Sequence, residues 1–268
     1  MSYFSVNGEK QNSISMSDRS IAYGEGIFTT AKIVNGKIEF LSAHMSRLIE
    51  GCQYLDIPFT HHEVLLNEIN QVALNYPLAV LKIVVTAGSG GRGYSKNGVT
   101  NPQTLVSIHE YPAHYQQWSK QGITIAEGKI QLGLNPIMLG LKHLNRLEQV
   151  MIRRELDASP VDDFIVTDLN DYIVESSCAN LFWFDHQQLF TPIINEAGIK
   201  GIYREKLLSF DNTIIPVKHK LSDLANVTAM FVCNSVMGIV PVKQYNDKLL
   251  DIAPVIAFNK RFIDAYNA

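Results

Sequence analysis

Apolar and polar residues alternate along two stretches near the start of the chain, and this period of two predicts β-strands. The stretches "YFSVNGEKQ" and "GIFTTAKIVNGKIEFL" each hold an Asn-Gly pair between alternating runs, a strong signal for a tight hairpin. Helical spacing follows in "SAHMSRLIEGCQYLDI", with Ser42 as the expected N-cap, and a second helix is predicted from His62 to Leu74. The β-branched stretches "AVLKIVVTAG" and "TLVSIHEYP" predict two more strands.

A polar stretch without periodicity, "YPAHYQQWSKQG", separates the two halves of the chain. It predicts an interdomain linker over residues 113–121, with an N-terminal domain at 1–112 and a C-terminal domain at 122–268 that carries Lys142. Strands and helices are mixed in both halves without the strict alternation of a doubly wound sheet. The expected fold class is therefore α+β in two domains.

The second half predicts further strands and helices from the same patterns. After the strand "ITIAEGKIQL", a helix is expected from the segment of Lys142 to about Ala158. The stretches "DDFIVTD" and "YIVESSCANLFWF" predict a hairpin around Leu169–Asp171, and "GIYREKLLSF" predicts a helix that starts after Gly201. The stretch "AMFVCNSVMGIVPV" predicts two strands joined by a turn, and "PVIAFNKRFIDAY" a C-terminal helix.

Composition narrows the class of protein. The 268 residues carry a net charge of -3 without a run of like charge, so nucleic acid is not an expected partner. Cys52, Cys178 and Cys233 form no disulfide or metal-binding pattern. The chain starts with no signal-peptide pattern and holds no apolar run of membrane-spanning length. These features predict a soluble cytoplasmic protein.

The stretch "GSGGRG", residues 88–93, matches the glycine pattern of a dinucleotide-binding loop. That loop must open a helix, and the following "YSKNGVTNPQ" cannot start one. A mobile loop that carries Arg92 and Tyr94 towards a pocket is the preferred interpretation. His109 and His114 stand five residues apart across a proline, which is not a zinc motif, and no metal site is expected.

Lys142 in "LGLKHLNRLEQV" stands ahead of a periodic apolar run that includes Leu147, Val150 and Met151. Most lysines are exposed and pack only their stems on apolar neighbours, which is the first interpretation. The second is an amine held partly desolvated so that it forms a Schiff base. If the aldehyde is pyridoxal phosphate, the site also needs an acid for the pyridine nitrogen, an anion site for the phosphate and a lined pocket.

The second half contains candidates for these parts. Glu175 interrupts an apolar strand and shares the face of Ile173, so its carboxylate is expected to point inward, where a pyridinium would compensate its charge. A structural ion pair or an edge position is the alternative. The candidates for phosphate binding are a helix start, a turn and one arginine: the amides of Ile202 and Tyr203, Asn234 with Ser235, and Arg47.

From about Gly8 to Val242 the chain resembles the fold-type IV pyridoxal-phosphate enzymes. The resemblance depends on the segment of Lys142, the glutamate in "VESSCANLFW" and the helix start "GIYRE". This family includes branched-chain and D-amino-acid aminotransferases and the aminodeoxychorismate lyases. The stretches "DRSIAYGEGIFTTAKIVNGKI", "LSAHMSRL", "SGGRGYS", "YPAHY" and "GLKHLNRLEQVMIR" are most similar to the lyases. The family's fold is two-domain, with the cofactor between the domains.

The resemblance implies a role for each matching residue. Lys142 matches the Schiff-base lysine, Glu175 the partner of the pyridine nitrogen, and Thr30 a threonine that assists proton transfer in the lyases. Asn145 matches a position that contacts the cofactor in some relatives. Arg92 and Tyr94 match a loop near the substrate carboxylates. The phosphate site is matched by Arg47, Ile202, Tyr203, Asn234 and Ser235.

The resemblance to the lyases also implies an activity and an assembly. The implied reaction converts 4-amino-4-deoxychorismate to 4-aminobenzoate and pyruvate, a step of folate biosynthesis, in a homodimer. The lysine released by the substrate would act as the base, and elimination of pyruvate would follow. Two alternatives stay open: an aminotransferase on the same scaffold, and a protein that binds pyridoxal phosphate without turnover.

Overall fold

A computed structural model describes residues 3–267, which form two compact units by the grouping of their contacts. Unit 1 contains residues 3–112 and the segment Leu141–Arg146, and unit 2 contains Ala113–Gly140 and residues 147–267. The grouping therefore assigns Lys142 to unit 1, whereas the predicted domain ranges assign it to the C-terminal domain. Each unit has its own β-sheet and its own buried apolar core.

Unit 1 is a five-stranded antiparallel sheet with helices. The hairpin predicted at Asn35-Gly36 is confirmed by the pairing of Ile33 with Ile38. At Asn7-Gly8, where a second hairpin was predicted, the structure has an isolated bridge between Val6 and Glu9, and the first strand pairs with the fifth instead. The sheet order is β1-β5-β4-β2-β3. Its elements are β1 (Tyr3–Val6), α1 (Arg19–Tyr23), β2 (Gly26–Val34), β3 (Lys37–Ile38), α2 (Leu41–Tyr54), α3 (His62–Ala73), β4 (Leu78–Thr86) and β5 (Gln103–Glu110).

One face of β2 forms much of the core of unit 1. Ile27, Ala31 and Ile33 alternate on that face and are almost fully buried, together with Leu48 of α2 and Ile69 of α3. Burial of one such large apolar side chain stabilises a fold by roughly 1.5–3 kcal/mol. The other face of β2 is thereby left to half-buried side chains, among them Phe28 and Thr30.

Unit 2 is built on a nine-stranded mixed sheet of order β11-β10-β9-β12-β13-β6-β7-β8, with β14 paired to β13. The α+β class is confirmed, since strands and helices follow one another without regular alternation. The elements are α4 (His114–Gln121), β6 (Ile123–Glu127), α5 (Leu147–Asp157), β7 (Asp163–Thr167), β8 (Ile173–Ser176), β9 (Asn180–Asp185), β10 (Gln188–Pro192), α6 (Ile202–Phe210), β11 (Ile215–Val217), β12 (Val227–Asn234), β13 (Gly238–Tyr245), β14 (Lys248–Leu249) and α7 (Ala253–Asn267). Short 3-10 helices occupy Pro136–Met138 and Leu221–Leu224.

The predicted irregular linker is a helix in the structure. The helix α4 covers most of residues 113–121, and Tyr115 and Trp118 pack against the core of unit 2. Gly122 ends it with a positive φ of 75° and an amide that donates to the carbonyl of Trp118. The sequence pattern failed here because two aromatic side chains, rather than a periodic apolar face, stabilise the helix.

Two other element boundaries differ from the sequence-based prediction. Ser42 is not the N-cap of α2, because the helix begins at Leu41 after Phe40, whose φ of 53° turns the chain directly from the preceding strand into the helix. The stretch predicted as one long strand is interrupted after Ser176 by a tight loop, in which the amide of Ser176 donates to the carbonyl of Ala179 at 2.7 Å.

The apolar residues at the start of α5 do not lie in the core. Leu147, Val150 and Met151 are 78%, 59% and 40% exposed, whereas Ile152 and Leu156 are buried. The helix begins at Leu147, so Lys142 lies in an irregular segment before it. Within residues 3–267, no helix combines the length and the apolarity that crossing a membrane requires.

A buried polar pair lies in the core of unit 1. Thr29 on β2 and His44 on α2 are almost fully buried, and the Thr29 hydroxyl lies 2.6 Å from His44 Nδ1. The pKa of His44 is lowered to about 3, mainly because the imidazole is buried and to a smaller extent because of the positive charges of Arg47 and Lys142. His44 is therefore neutral in the folded protein at any physiological pH.

This low pKa predicts that the folded protein loses stability as the pH falls below about 6.5. The unfolded chain binds a proton at His44 near pH 6.5, whereas the folded chain does so only near pH 3, so protons favour unfolding between these values. Between pH 7 and pH 5 the wild type should lose about 2 kcal/mol more unfolding free energy than His44→Asn, in urea titrations. His61→Asn, at an exposed histidine, is the matched control and should behave as wild type. Equal losses in wild type and His44→Asn would contradict this account.

Candidate active site

Lys142 is held by backbone pairing with the start of β2. The Phe28 amide donates to the Lys142 carbonyl at 2.9 Å, and the Leu144 amide donates to the Gly26 carbonyl at 3.0 Å. These bonds make an antiparallel bridge between Ile27 and His143. The irregular segment is therefore fixed as if it were a short extra strand, although its sequence shows no strand pattern.

The side chain of Lys142 lies over an aromatic ring. It is half-buried, and its Nζ lies 4.6 Å from the centroid of the Phe28 ring. The negative face of an aromatic ring attracts an ammonium group, so the ring restrains the position of the amine. Thr30 is two residues beyond Phe28 and projects from the same face of β2. The fold of unit 1 thus brings the predicted base and the predicted hydroxyl to one face of one strand.

Helix α2 adds a second predicted residue to this region. His44 and Arg47 are three residues apart, so their side chains lie on one side of the helix. The positive charges of both Arg47 and Lys142 lower the pKa of His44, after the larger effect of burial. The Nε2 atom of His44 is buried and has no hydrogen-bond partner among the described residues. Sequence reasoning missed His44, and its spacing from Arg47 in "LSAHMSRL" is the signal that could have found it.

The other predicted residues of unit 1 lie on exposed loops. Asn145 donates from Nδ2 to the Gly24 carbonyl at 3.2 Å, a contact that ties its segment to the turn before β2. Arg92 and Tyr94 are exposed, Tyr94 by 89%, and the Tyr94 ring lies 5.5 Å from that of Tyr23. These geometries give Asn145 a structural contact and leave Arg92 and Tyr94 accessible to a ligand.

In unit 2, Glu175 is buried on β8 and has a defined orientation. Glu175 is only 6% exposed, and its Oε2 accepts a hydrogen bond from the Ile199 amide at 3.0 Å. One lone pair of the carboxylate is thereby satisfied by the backbone, and this bond restrains the orientation of the group.

The same peptide segment is held from its other side by Asn180. The Asn180 Nδ2 donates to the Ile199 carbonyl at 2.9 Å, so Glu175 and Asn180 together fix both polar groups of Ile199. A Cβ on Gly201 would lie 1.9 Å from Asn180 Oδ1. Only glycine fits there, and the close approach sets the start of α6. Asn180 was not predicted, because nothing in "SSCANLFW" marks an asparagine whose partner, Ile199, is 19 residues further along the chain.

The start of α6 offers backbone donors. Gly201 is the N-cap and has no side chain to cap the helix, and the amides of Ile202 and Tyr203 belong to the first turn, whose N–H groups point out of the helix end. Such an end binds phosphate well because the helix dipole adds a partial positive charge. Tyr203 lies close to the neighbouring turn, because a Cβ added at Gly238 would lie 3.5 Å from the Tyr203 hydroxyl oxygen.

That turn joins β12 and β13 and contains Asn234 and Ser235. The Asn234 Oδ1 accepts from the amides of Val236 and Met237 at 2.9 and 3.0 Å, so its side chain closes the turn. Asn234 Nδ2 donates to the Cys178 carbonyl at 3.3 Å. Unit 2 therefore brings together the predicted helix start and the predicted turn, with Asn234 in a role that shapes the turn.

Comparison with known proteins identifies the family. The amino-transferase class IV model matches residues 26–245. A protein named aminodeoxychorismate lyase from Vibrio harveyi is 34% identical over 243 residues, which are 89% of this chain and 90% of that protein. The 4-amino-4-deoxychorismate lyase structure from Pseudomonas aeruginosa has a TM-score of 0.88 at 29% identity and covers 98% of both chains.

The fold is also shared with more distant members. The structure of the branched-chain amino acid aminotransferase of Escherichia coli has a TM-score of 0.85 at 20% identity, over 99% of this chain and 93% of its own, which is a likeness of fold alone. The predicted fold-type IV architecture is confirmed by these neighbours. The chain belongs to the amino-transferase class IV family.

Proposed function

We propose that this chain is a pyridoxal-phosphate-dependent lyase that converts 4-amino-4-deoxychorismate to 4-aminobenzoate and pyruvate. The observation that carries the proposal is the arrangement on β2, where the amine of Lys142 lies 4.6 Å from the Phe28 ring and Thr30 projects from the same face. A lyase needs a base and a proton donor on the substrate side. The 34% identity to a protein named aminodeoxychorismate lyase supports the same assignment.

Each unit, taken by itself, holds residues that suit pyridoxal 5'-phosphate as the cofactor. In unit 2, Gly201, where Asn180 occupies the space of a Cβ, begins a helix whose first turn suits the phosphate, and the Asn234–Ser235 turn would add donors. In unit 1, Arg47 is the phosphate ligand that the family resemblance implies. Glu175, buried and oriented by the Ile199 amide, would keep the pyridine nitrogen protonated. When bound, this cofactor would supply an electron sink for the carbon that loses a proton.

Lys142 would first hold the cofactor and then act as the base. In its free, neutral form the amine of Lys142 would remove the proton from the amine-bearing ring carbon of the substrate. The ring on which Lys142 rests, Phe28, limits how far the amine can swing and excludes water from one side. His44 is buried and neutral, so it adds no positive charge to those of Lys142 and Arg47 in unit 1.

Thr30 would serve the departing group. The bond between the neighbouring ring carbon and the ether oxygen breaks, the ring becomes aromatic, and the enolpyruvate takes up one proton to become pyruvate. A hydroxyl is suited to deliver that proton because it can donate to the leaving group and accept from water. Arg92 and Tyr94, on their exposed loop, would bind carboxylates of the substrate.

An aminotransferase is the second candidate, since the matching family model carries that name and relatives named D-alanine aminotransferase are 21–22% identical. The same lysine and cofactor would then move a proton between an amino acid and an oxo acid. Thr30 projects from the face of β2 on which Lys142 contacts Phe28, and its hydroxyl favours the lyase. Transamination does not require a proton donor for a leaving enolpyruvate.

We further propose a cytoplasmic homodimer. Leu147 and Val150 of α5 are 78% and 59% exposed, Ile137 of the same unit is 71% exposed, and large apolar side chains exposed in this way are found at protein interfaces. A second copy of the chain is the partner implied by the family resemblance. The three cysteines form no disulfide among the described residues, in keeping with a reducing compartment.

The first test is an end-product assay. Protein loaded with pyridoxal phosphate and incubated with aminodeoxychorismate should release 4-aminobenzoate and pyruvate in equal amounts. Lys142→Ala should lose the cofactor's absorbance band and reduce the rate by at least about 10⁴-fold, because both the linkage and the base are removed. A coloured wild type that forms neither product, but converts an amino acid to its oxo acid, would instead support the aminotransferase.

Thr30→Val tests the proton donor, since valine keeps the shape of the side chain and removes the hydroxyl. The absorbance of the bound cofactor should be unchanged, while kcat for pyruvate release should fall by about 10²-fold, within the range for loss of a general acid. Thr29→Val is a poor control because Thr29 binds His44, so Thr104→Val on β5 is used instead. Wild-type kcat in Thr30→Val would remove Thr30 from the mechanism.

Val150→Glu tests the homodimer by placing a charge on the exposed face of α5. The wild type should have twice the mass of one chain in light scattering, and the variant should dissociate at micromolar concentration because an unpaired charge in an interface is costly. Val64→Glu, at a similarly exposed valine of α3, should remain dimeric. A monomeric wild type would disprove the assembly and leave the lyase assignment to its own assay.

A further inference from the structure

The conformation of the glycine-rich loop at residues 88–95 depends on one buried arginine. Arg19 is only 4% exposed, and its Nη1 donates towards three loop carbonyls: Gly93 at 3.1 Å, Ser95 at 3.2 Å and Gly90 at 3.4 Å. Its own amide donates to the Gly88 carbonyl at 2.8 Å. A single residue on α1 therefore gathers backbone oxygens from both sides of the loop.

The charge of Arg19 is compensated by Glu25. Arg19 Nε lies 2.5 Å from Glu25 Oε2, and the other oxygen of Glu25 lies 3.3 Å from the Nζ of Lys96, just beyond the loop. Lys96 Nζ also donates to the carbonyls of Leu55 and Asp56, at 2.5 and 2.6 Å. The carboxylate of Glu25 thus links the cation inside the loop to the cation at its end, which reduces the cost of burying the guanidinium.

The stem of the loop is held by a separate polar group. Asp18 is buried, its Oδ2 accepts from the Thr86 hydroxyl at 2.7 Å, and that hydroxyl oxygen accepts from the Gly88 amide at 3.2 Å. Asp18 and Ser89 form a further bridge. The side chain of Arg19 takes no part in these contacts, and its backbone amide, which binds the Gly88 carbonyl, is kept in any variant, so a change of the Arg19 side chain should act on the tip of the loop.

The tip also fits closely around the guanidinium. Gly91 has a φ of 71°, and a Cβ there would lie 2.9 Å from Arg19 Nη1 and 2.3 Å from the Ser95 carbonyl oxygen. The glycines let the backbone wrap the guanidinium, but they also make the loop expensive to order on its own. The exposed residues Arg92 and Tyr94 lie within this tip.

We propose that Arg19 and Glu25 are positioning residues for substrate binding, which hold the loop at residues 88–95 so that Arg92 and Tyr94 meet the carboxylates of the substrate. This inference rests on the proposed lyase function. A loop ordered before binding loses less conformational entropy when the ligand arrives, so affinity rises without any new contact. The guanidinium is suited to this task because its rigid plane holds Nε against Glu25 and Nη1 against the loop carbonyls at the same time, two separate positions that one ammonium group does not occupy.

The experiment measures steady-state kinetics of the loaded enzyme with aminodeoxychorismate. Arg19→Lys and Glu25→Gln should each raise KM about tenfold and leave kcat within about threefold, with the cofactor absorbance unchanged. Arg153→Lys is the matched control, because Arg153 is an exposed arginine paired with Asp157, and it should keep the wild-type KM. A KM within twofold of wild type in both Arg19→Lys and Glu25→Gln would overturn the proposal.

A double variant separates positioning of Arg92 from a general loss of stability. If Arg19 acts through Arg92, Arg19→Lys should raise KM by less than about twofold in an Arg92→Ala background, since coupled residues are not additive. If the KM increases multiply in full, Arg19 does not act through Arg92 and the proposal fails.

Limited trypsin digestion tests the loop without any substrate. Cleavage after Arg92 or Lys96 should be about tenfold faster in Arg19→Lys than in wild type, because local opening controls proteolysis of a folded chain. Unchanged cleavage would show that Arg19 does not hold the loop. A wild type that cleaves no aminodeoxychorismate would overturn the lyase assignment, and the digestion would still decide whether Arg19 holds the loop.

Discussion

Two backbone hydrogen bonds determine where the candidate reactive amine can be. The bonds from Phe28 to Lys142 and from Leu144 to Gly26 fix an irregular segment along the first residues of β2. A lysine side chain has four rotatable bonds, so its amine is held at one position only if the backbone is fixed and a surface limits the motion of the side chain. The Phe28 ring is that surface, and Thr30 follows on the same strand, so β2 positions both the proposed base and the proposed proton donor.

Unit 2 has an equivalent constraint at one residue, Ile199. The amide and the carbonyl of Ile199 are bound by Glu175 and Asn180, and the segment that follows enters α6 through Gly201. A carboxylate and a helix start are thereby connected through a few rigid residues. The buried carboxylate and the helix start, the two candidate parts of a cofactor site in unit 2, are thus connected by a single short stretch of backbone.

Three buried ionisable side chains, two in unit 1 and one in unit 2, avoid an uncompensated charge in different ways. Arg19 is paired with Glu25, His44 stays neutral because burial lowers its pKa, and burial raises the pKa of Asp163, which is offset in part by hydrogen bonds from Ser177 and Ser176. An uncompensated buried charge would cost several kcal/mol, of the order of the whole stability of a domain. These compensations explain why polar residues occur inside both units without weakening them.

The sequence by itself determined the elements and the chemistry that depend on local pattern. Period-two alternation and Asn-Gly pairs predicted the β2–β3 hairpin, the glycine before "IYREKLLSF" predicted the start of α6, and residue types pointed to Lys142 and Glu175. These signals are carried by neighbours along the chain. The family resemblance then assigned roles that spacing alone left open.

Only the tertiary structure decided which distant residues meet. The helix α4 was missed because two aromatic side chains anchored in the core of unit 2 stabilise it, and Asn180 and His44 were missed because their partners are far along the chain or on another element. The buried contacts of Arg19 reach residues more than seventy positions away. Backbone carbonyls carry no sequence signature, so a side chain that binds them can be recognised only once the chain is folded.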